Sequence, residues 1–255
     1  MTSWLWGALL AAVVALLALR VKALTLDGAI AAFVVGTIVF GSAGWPGAAV
    51  LLAFFVPSSL LTRVGRARKA RTLADPEHTA RTAWQVLANG GVAAICALGA
   101  LFWRAPFEAA FAGAIAAASA DTWATEIGTL SSRPPVSMVT LRPVQTGVSG
   151  GVSALGIAAS AAGAICVAIV GWIFRIASLP AVAVGGFAGS LLDSLAGATL
   201  QARRWCPACA IECETAMHRC GTQTQPHGGI AWLQNDAVNL LATLCGALVA
   251  AAIAR

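Results

Sequence analysis

Carboxylates occur at the ends of apolar segments in this chain, where charged side chains are otherwise scarce. Asp121 and Glu126 lie in the stretch ASADTWATEIG, which follows an almost purely apolar run, and Asp193 lies at the end of a second such run. Asp236 stands at the start of another apolar segment. Mg²⁺ commonly binds to one or two protein carboxylates together with the phosphates of a substrate. We therefore predict that these four acids are catalytic and that Asp121 and Asp193 are ligands of Mg²⁺.

The stretch TGVSGG at 146–151 is a candidate phosphate-binding segment, because it stands where an apolar helix is expected to begin. Glycines let a phosphate approach backbone N–H groups at the start of a helix, and hydroxyls add donors. Arginines could neutralise phosphates, and Arg81, Gln85 and Asn89 have the spacing of one helix face. The predicted substrate-binding residues are Arg63, Arg81, Gln85, Asn89, Thr146, Gly147, Ser149, Gly150, Gly151, Ser194, Asn235 and Asn239.

Acids, a glycine-rich segment and arginines are together the parts used in phosphoryl or nucleotidyl transfer. The same residues would serve a kinase that acts on a lipid phosphate or an enzyme that transfers a cytidylyl group to a lipid phosphate. A small-solute transporter with broken helices and intramembrane acids is a third interpretation. Against the transporter, the polar residues gather at one membrane face rather than at the bilayer midplane.

The composition indicates what kind of protein positions these residues. Of the 255 residues, 59% are hydrophobic and 10% are charged, and the mean hydropathy is +0.82. Soluble domains carry about 25% charged residues, so the chain is predicted to be an integral membrane protein. We interpret the net charge of +6 as a topology signal rather than as a nucleic-acid-binding surface.

Apolar runs approaching the roughly 20 residues of a membrane span occur eight times, and three of them are short or glycine-rich. We predict an all-α bundle of 7–8 transmembrane helices that forms a single transmembrane domain over 1–255. Placing the basic loop 62–81 in the cytoplasm puts the polar segment ends on the cytoplasmic face of a bacterial-type inner or plasma membrane. A homo-oligomer is compatible with the sequence. The predicted spans are 3–20, 24–41, 47–62, 82–103, 107–126, 150–173, 180–201 and 231–253.

A faint internal repeat connects two of these segments. The stretches ASADTWATEIGT at 118–129 and AGSLLDSLAGAT at 188–199 share the pattern Asp-Thr/Ser-x-Ala and a following Gly. Both segments are expected to run towards the same face, which suggests a parallel repeat with two similar Asp-bearing helices.

A cysteine-rich segment, 202–229, is predicted to be inserted as a small cytoplasmic loop. It contains a Cys-x-x-Cys pair followed by a His-x-Cys pair, the arrangement of a tetrahedral zinc site. Four sulfur or imidazole ligands leave no open position, so the zinc would be structural. Disulfides are disfavoured in the reducing cytosol, and Cys213 and His227 are spare candidate ligands. The predicted zinc ligands are Cys206, Cys209, His218 and Cys220.

Seven motifs spread over nearly the whole chain resemble those of the family called domain of unknown function 92, which includes the plant phytyl-phosphate kinase. The resemblance implies phosphorylation of an isoprenyl monophosphate to its diphosphate, with CTP or another nucleoside triphosphate as donor. It also implies similarity to polytopic lipid kinases and cytidylyltransferases. The motifs are LTLDGAIAA (24–32), FFVPSSLLTRVG (54–65), RTAWQVLANGG (81–91), ASADTWATEIGTLS (118–131), VQTGVSGGVSALG (144–156), GGFAGSLLDSLAGATLQ (185–201) and GGIAWLQNDAVNLLATLCGAL (228–248).

Overall fold

A computed structural model describes residues 2–65 and 80–254 of the chain. Most of the predicted basic loop, residues 66–79, therefore lies outside the described residues. The part that is described forms α-helices joined by short connections and by two longer loops. The helices are α1 (Thr2–Arg20), α2 (Leu26–Leu61), α3 (Ala83–Gly99), α4 (Arg104–Gly128), α5 (Ala154–Ile173), α6 (Leu179–Thr199) and α7 (Asn235–Ile253).

Helix α2 is folded back on itself at Gly44. At 36 residues it would measure about 54 Å if straight, well beyond the roughly 30 Å of a bilayer core. Gly44 has φ 61° and ψ −153°, a conformation that glycine adopts without a Cβ clash. Just after this turn, a Cβ at Gly47 would lie 3.3 Å from the carbonyl oxygen of Val39, although residues eight apart in a straight helix are about 12 Å apart. The predicted spans 24–41 and 47–62 are thus the two arms of one hairpin.

Five of the helices within the described residues are long and apolar enough to cross a membrane, namely α1, α2, α5, α6 and α7. Helix α3 is apolar but shorter, and α4 carries four charged residues. The predicted integral membrane helical bundle is confirmed. The predicted number of 7–8 spans is higher than these five, because that prediction counted each arm of α2, the short α3 and the charged α4 separately.

Helix α4 forms the centre of the bundle. Each residue from Ala109 to Ala120 is buried, and α2, α3, α5, α6 and α7 all pack against this helix. The contacts depend on small residues: a Cβ at Gly113 would lie 2.4 Å from the carbonyl oxygen of Gly246, and one at Gly186 would lie 2.6 Å from the Cβ of Ala116. Close backbone approach through glycine and alanine is typical of packing between membrane helices.

The loops add two small antiparallel sheets that an all-α prediction does not contain. Strands β1 (Val136–Ser137) and β2 (Gly151–Val152) pair just before α5. The cysteine-rich loop forms a three-stranded sheet in the order β4-β3-β5. Its strands are β3 (Arg203–Cys206), β4 (Ile211–Cys213) and β5 (Gln225–Gly228).

Backbone hydrogen bonds close the base of the cysteine-rich loop. The amide of Ile230 donates to the carbonyl of Leu200, and the amide of Ala202 donates to that of Leu233, each at 2.9 Å. The loop therefore leaves and re-enters the bundle at one place, between the end of α6 and the start of α7. This end of the bundle, which also holds the last turn of α4 and the first turns of α3 and α5, is called the carboxylate end below.

Candidate functional site

Asp121 and Asp193 meet where the central helix α4 packs on α6. A Cβ at Gly189 of α6 would lie 2.5 Å from the Cβ of Ala117 and 2.6 Å from the carbonyl oxygen of Ala242, so three backbones converge at this level. Residues four apart share a helix face, so Asp121 and Asp193 follow one turn later on the two facing surfaces. Their carboxyl groups are within hydrogen-bonding contact. Close glycine packing thereby brings the two predicted Mg²⁺ ligands together.

The carboxylate pair has the features of a cation site. Oδ2 of Asp193 is buried and has no hydrogen-bond partner among the described residues. A buried polar atom without a partner costs stability, and two adjacent carboxylates cannot both carry their charge without a neutralising group. A hard divalent cation would satisfy the unpartnered oxygen and neutralise the pair. The residues present therefore fit the predicted metal.

The glycine-rich segment packs against the last turn of α6, close to Asp193. Gly150 has φ 76°, and a Cβ on it would lie 2.3 Å from the backbone nitrogen of Ala198. Nε2 of Gln201 donates to Oγ of Ser149 at 2.9 Å, and the Ser149 hydroxyl donates to the carboxylate of Glu214. The segment thus packs through Ser149 and Gly150 on α6 about one turn beyond Asp193.

The expectation that 146–151 opens a helix is wrong. Helix α5 begins at Ala154, and Ser153 caps it by accepting from the amide of Gly156 at 3.1 Å. The glycine-rich segment forms a turn and strand β2 instead, and the amide of Gly151 is used in that turn by donating to Val148. Serine is the better N-cap because its side-chain oxygen satisfies a free amide of the first turn.

Glu126 belongs to a different face of α4. Five residues correspond to about 140° of helical rotation, so Glu126 points away from Asp121. The hydroxyl of Thr62, at the end of α2, donates to Oε1 of Glu126 at 2.7 Å. This contact ties the ends of α2 and α4 together, and it separates Glu126 from the carboxylate pair.

The polar residues at the start of α7 lie at the carboxylate end. Asp236 and Asn235 occupy the first turn and are half-buried, and Asn239 is buried. Thr243 donates from Oγ1 to the carbonyl of Ala88 at 3.1 Å, which locks α7 against α3. Ala242 of α7 packs against Gly189 of α6. Asn239 lies one turn before Ala242 and Asp193 one turn after Gly189, so both residues are one turn nearer the carboxylate end. Ser194, next to Asp193 on α6, is half-buried at the same end.

Arg81, Gln85 and Asn89 line one cavity, although Arg81 lies just before α3 and only Gln85 and Asn89 share a face of that helix. The cavity lies between α1, α2 and α3, has a volume of about 90 Å³, and is otherwise lined by apolar residues and glycine. The Arg81 guanidinium carbon is 5.4 Å from the centre of the Phe54 ring. An apolar cavity with a few polar groups suits a ligand with an apolar body and a polar head.

Two other polar residues at this end have structural partners. Nη2 of Arg63, which is exposed, donates to the carbonyl of Val21 at 2.7 Å, and the side chain is not among those lining the cavity. Asp27 accepts from the amide of Ala83 at 2.9 Å and so caps α3. The structure therefore does not bring Arg63 together with the other predicted phosphate-binding residues.

The four predicted zinc ligands form one cluster in the cysteine-rich loop. Their ligand atoms all lie within 4.8 Å of one another, so the cluster could hold a metal ion. Sγ of Cys206 is 3.6 Å from Sγ of Cys220, close to the roughly 3.8 Å expected for two thiolates on a tetrahedral zinc. Nδ1 of His218 is 3.1 Å from the same Cys220 sulfur. Contacts with Thr222 and then His218 lower the pKa of the Cys220 thiol to about 6, which favours the metal-binding thiolate.

The two spare candidates have other neighbours. Cys213 is buried on β4, with its sulfur 3.9 Å from the carbonyl oxygen of Arg204. The His227 ring lies 5.3 Å from that of Trp205. Neither belongs to the cluster of four.

Sequence reasoning did not identify Glu214 or Gln201. Glu214 is close to the glycine-rich segment because the cysteine-rich loop folds back over the end of α6, and Gln201 is close because the segment packs on that end of the helix. Their spacing from Ser149 along the chain carries no signal. The burial of Gln201, which is unusual for an amide side chain, is visible only in the structure.

Comparisons with known proteins agree with the prediction of an integral membrane protein. A family model described as "Integral membrane protein DUF92" matches residues 9–247. The chain is 30% identical to Protein PGR of Arabidopsis thaliana, over 94% of this chain and 92% of that protein. It is 29% identical to the Uncharacterized membrane protein MJ0933 of Methanocaldococcus jannaschii, over 94% and 90%. It is 24% identical to Protein VTE6, chloroplastic, of Arabidopsis thaliana, over 91% and 66%. No solved structure matches the chain.

Proposed function

We propose that this chain, which belongs to the DUF92 family of integral membrane proteins, is a membrane-embedded kinase. The kinase transfers a phosphate from CTP, or another nucleoside triphosphate, to an isoprenyl monophosphate such as phytyl phosphate. The contact between Asp121 and Asp193 beside the glycine-rich segment is the observation that supports it most strongly. The resemblance of the motifs to a family that includes phytyl-phosphate kinase supports the choice of acceptor.

The nucleotide phosphates lie between the carboxylate pair and the glycine-rich segment, where Ser149 can donate to a phosphate oxygen. Mg²⁺ held by Asp121 and Asp193 would supply charge neutralisation for the transferred phosphate. Thr146, Gly147, Gly150 and Gly151 allow close approach of the phosphates to the backbone. The side chains that orient the nucleotide from α6 and α7 are Ser194, Asn235 and Asn239.

The isoprenyl chain of the acceptor occupies the apolar cavity between α1, α2 and α3. Its monophosphate lies at the polar end of this cavity, near the Arg81 guanidinium, with Gln85 and Asn89 as further donors. Arg63, although turned to Val21, stays a candidate for attracting anionic substrates from the carboxylate end.

The reaction is a substitution at the γ-phosphorus of the donor. An oxygen of the acceptor phosphate forms a bond to that phosphorus, the bond to the bridging oxygen breaks, and the nucleoside diphosphate leaves with the electron pair. A phosphate nucleophile needs no general base at neutral pH, which agrees with the absence of histidine from the predicted set. Asp236 and Glu126 would therefore serve positioning and charge balance.

The same proposal covers location and cofactors. The carboxylate end faces the cytoplasm of a bacterial-type inner or plasma membrane, where nucleotide is available, and the isoprenyl phosphate arrives from the bilayer. A structural Zn²⁺ would hold the cysteine-rich loop over the site. Homo-oligomerisation is compatible with this arrangement, and no nucleic acid is required.

The test uses purified protein in detergent with nucleotide labelled at the γ-phosphate, Mg²⁺ and a panel of isoprenyl monophosphates. Label in an isoprenyl diphosphate, absent with Asp121→Asn and Asp193→Asn, is the expected result. Folded wild-type protein that labels none of the acceptors would refute the kinase.

Transfer of a cytidylyl group is the second candidate, because the same carboxylate pair and glycine-rich segment would bind the donor. It differs only in which phosphorus is attacked. CTP labelled at the α-phosphate separates the two, since a labelled CDP-lipid forms only by cytidylyl transfer. Uptake of a small solute into proteoliposomes, lost with Asp121→Asn, would instead support a transporter.

A further inference from the structure

The cysteine-rich loop and the carboxylate pair meet at one residue. We propose that Glu214 is a third cation-binding carboxylate of the Asp121–Asp193 site, and that the metal-binding cluster of the loop holds it there. This inference rests on the proposed function, because it extends the cation site of the kinase.

Glu214 lies beside the carboxylate pair. Its carboxylate accepts a hydrogen bond from Ser149, and Ser149 packs on α6 one turn beyond Asp193, where a Cβ at Gly197 would lie 3.3 Å from the Ser149 Cβ. Ser149 is held in turn by Nε2 of Gln201 at 2.9 Å, and Gln201 is only 2% exposed. A loop residue, the glycine-rich segment and α6 are thus joined by one chain of contacts at the site.

The small sheet fixes the position of Glu214 from both sides. Cys213, before it, is buried and pairs with Arg204 of β3. Thr215, after it, accepts at its carbonyl from the Thr224 hydroxyl at 2.6 Å. Arg204 closes the arrangement by donating from Nε to Oγ1 of Thr224 at 2.7 Å.

The sheet depends in turn on the metal-binding cluster. Strand β3 ends at Cys206, which is fully buried and is one of the four clustered ligands. So small a sheet has little apolar core of its own, and metal binding commonly supplies the folding free energy of such loops. Metal bound by the cluster therefore keeps Glu214 over the site, although the cluster shares no ligand with the carboxylate pair.

The carboxylate pair shows that a cation has a place there. Oδ2 of Asp193 is buried without a partner among the residues described. A third carboxylate increases the negative charge and the number of oxygen ligands, both of which favour a hard divalent cation. Two helices provide two ligands, and the loop provides the third.

Mn²⁺ replaces Mg²⁺ as the probe, because its binding is read by electron paramagnetic resonance without turnover. Glu214→Gln should weaken Mn²⁺ binding about tenfold in the purified full chain, since loss of one ligand or supporting group typically costs about 10–100-fold. Zinc content and thermal stability should not change. Glu214→Asp, which keeps the charge on a shorter side chain, should give an intermediate affinity.

Glu212→Gln is the matched control. Glu212 lies two residues earlier on the same strand and forms an ion pair with Arg203 at 3.5 Å at the loop surface. The Glu212→Gln variant should bind Mn²⁺ with the same affinity as the wild type. Equal Mn²⁺ affinities for Glu214→Gln and Glu212→Gln would overturn the proposal, whatever the kinase assay shows.

A second arm tests the dependence on the cluster. Cys220→Ser should lower the zinc content and reduce Mn²⁺ affinity to the level of Glu214→Gln. Combining the two substitutions should cause no further loss, because both remove the same interaction. Additive losses would show that the cluster does not act through Glu214. A wild type that binds Mn²⁺ as expected but makes no diphosphate would remove the proposed kinase and keep the cation site.

Discussion

Gly189→Ala offers a sensitive test of how helix packing builds the site. The new Cβ would lie 2.5 Å from the Cβ of Ala117 and 2.6 Å from the carbonyl oxygen of Ala242. Comfortable contacts between carbon atoms are about 3.5–4.0 Å, so α6 must move about 1 Å away from α4 and α7. Both obstacles belong to helix backbones or to alanine, and neither can swing aside. Overpacking of this kind costs about 1–3 kcal/mol.

The displacement acts on the chemistry one turn away. Asp193 moves with α6, while Asp121 stays with α4, so the contact between their carboxyl groups opens. A misplacement of about 1 Å at a reacting centre can lower a rate about 100-fold. We therefore expect Gly189→Ala to lower kcat for diphosphate formation by about two orders of magnitude. The melting temperature in detergent should fall as well.

Gly171→Ala is the matched control on α5. Its Cβ would lie 3.9 Å from the Cβ of Ala112, an ordinary contact. The same substitution should therefore be neutral, or should stabilise by about 0.4–1 kcal/mol through the lower entropy of the unfolded chain. If Gly189→Ala melts at the same temperature as Gly171→Ala and keeps full activity, the close packing of α4, α6 and α7 is not what positions the carboxylate pair.

Four further predictions concern the site, the cavity and the Cys/His cluster of the loop. Asp193→Asn should abolish diphosphate formation without lowering the melting temperature, because it removes like-charge repulsion from Asp121; unfolding would contradict this. Arg81→Ala should raise KM for the isoprenyl phosphate about tenfold or more and leave KM for the nucleotide unchanged, since a charged hydrogen bond contributes about 1.5–3 kcal/mol, and Arg81→Lys should restore part of the loss. Ala32→Phe should raise KM for long-chain acceptors more than for short-chain ones, because Ala32 lines the apolar cavity; equal effects would argue against a chain-binding cavity. Treatment with a strong chelator should remove one zinc per chain and unfold the cysteine-rich loop, as followed by proteolysis, whereas Cys96, buried in α3, should stay protected from thiol reagents.

Part of this organisation could be predicted because its signals are local. Cys206, Cys209, His218 and Cys220 stand out by spacing, and the structure brings these four side chains together. The i, i+4, i+8 spacing of Arg81, Gln85 and Asn89 predicted a shared surface, which the structure shows as the lining of one cavity. Helical periodicity determines the common face, whereas the close ligand pairs follow from their short separations along the loop.

Other parts depend on tertiary contacts and could not be predicted. The number of acids at one end does not show which of them meet, and the structure joins Asp121 to Asp193 while it turns Glu126 to Thr62. Asp121 lies four residues after Ala117, and Asp193 lies four residues after Gly189. Because Ala117 and Gly189 face each other closely, the two segments of the suspected repeat are the two helices that pack together. Glu214 reaches the site through a folded loop, which no spacing along the chain reveals.

The character of α4 has a consequence for how the protein is made. The helix at the centre of the bundle is rich in alanine and carries Arg104, Glu108, Asp121 and Glu126, and it is not among the five helices suited to cross a membrane by themselves. Charged residues within a lone helix oppose its insertion by the translocon, and the alanine-rich stretch between these residues offers little hydrophobic free energy to offset that cost. We therefore expect the ribosome to have produced α5 and α6 before α4 settles in the bilayer. A nascent chain released just after α4 should leave this helix accessible to protease on the side where it was synthesised, and the carboxylate pair would form only after α6 has been made.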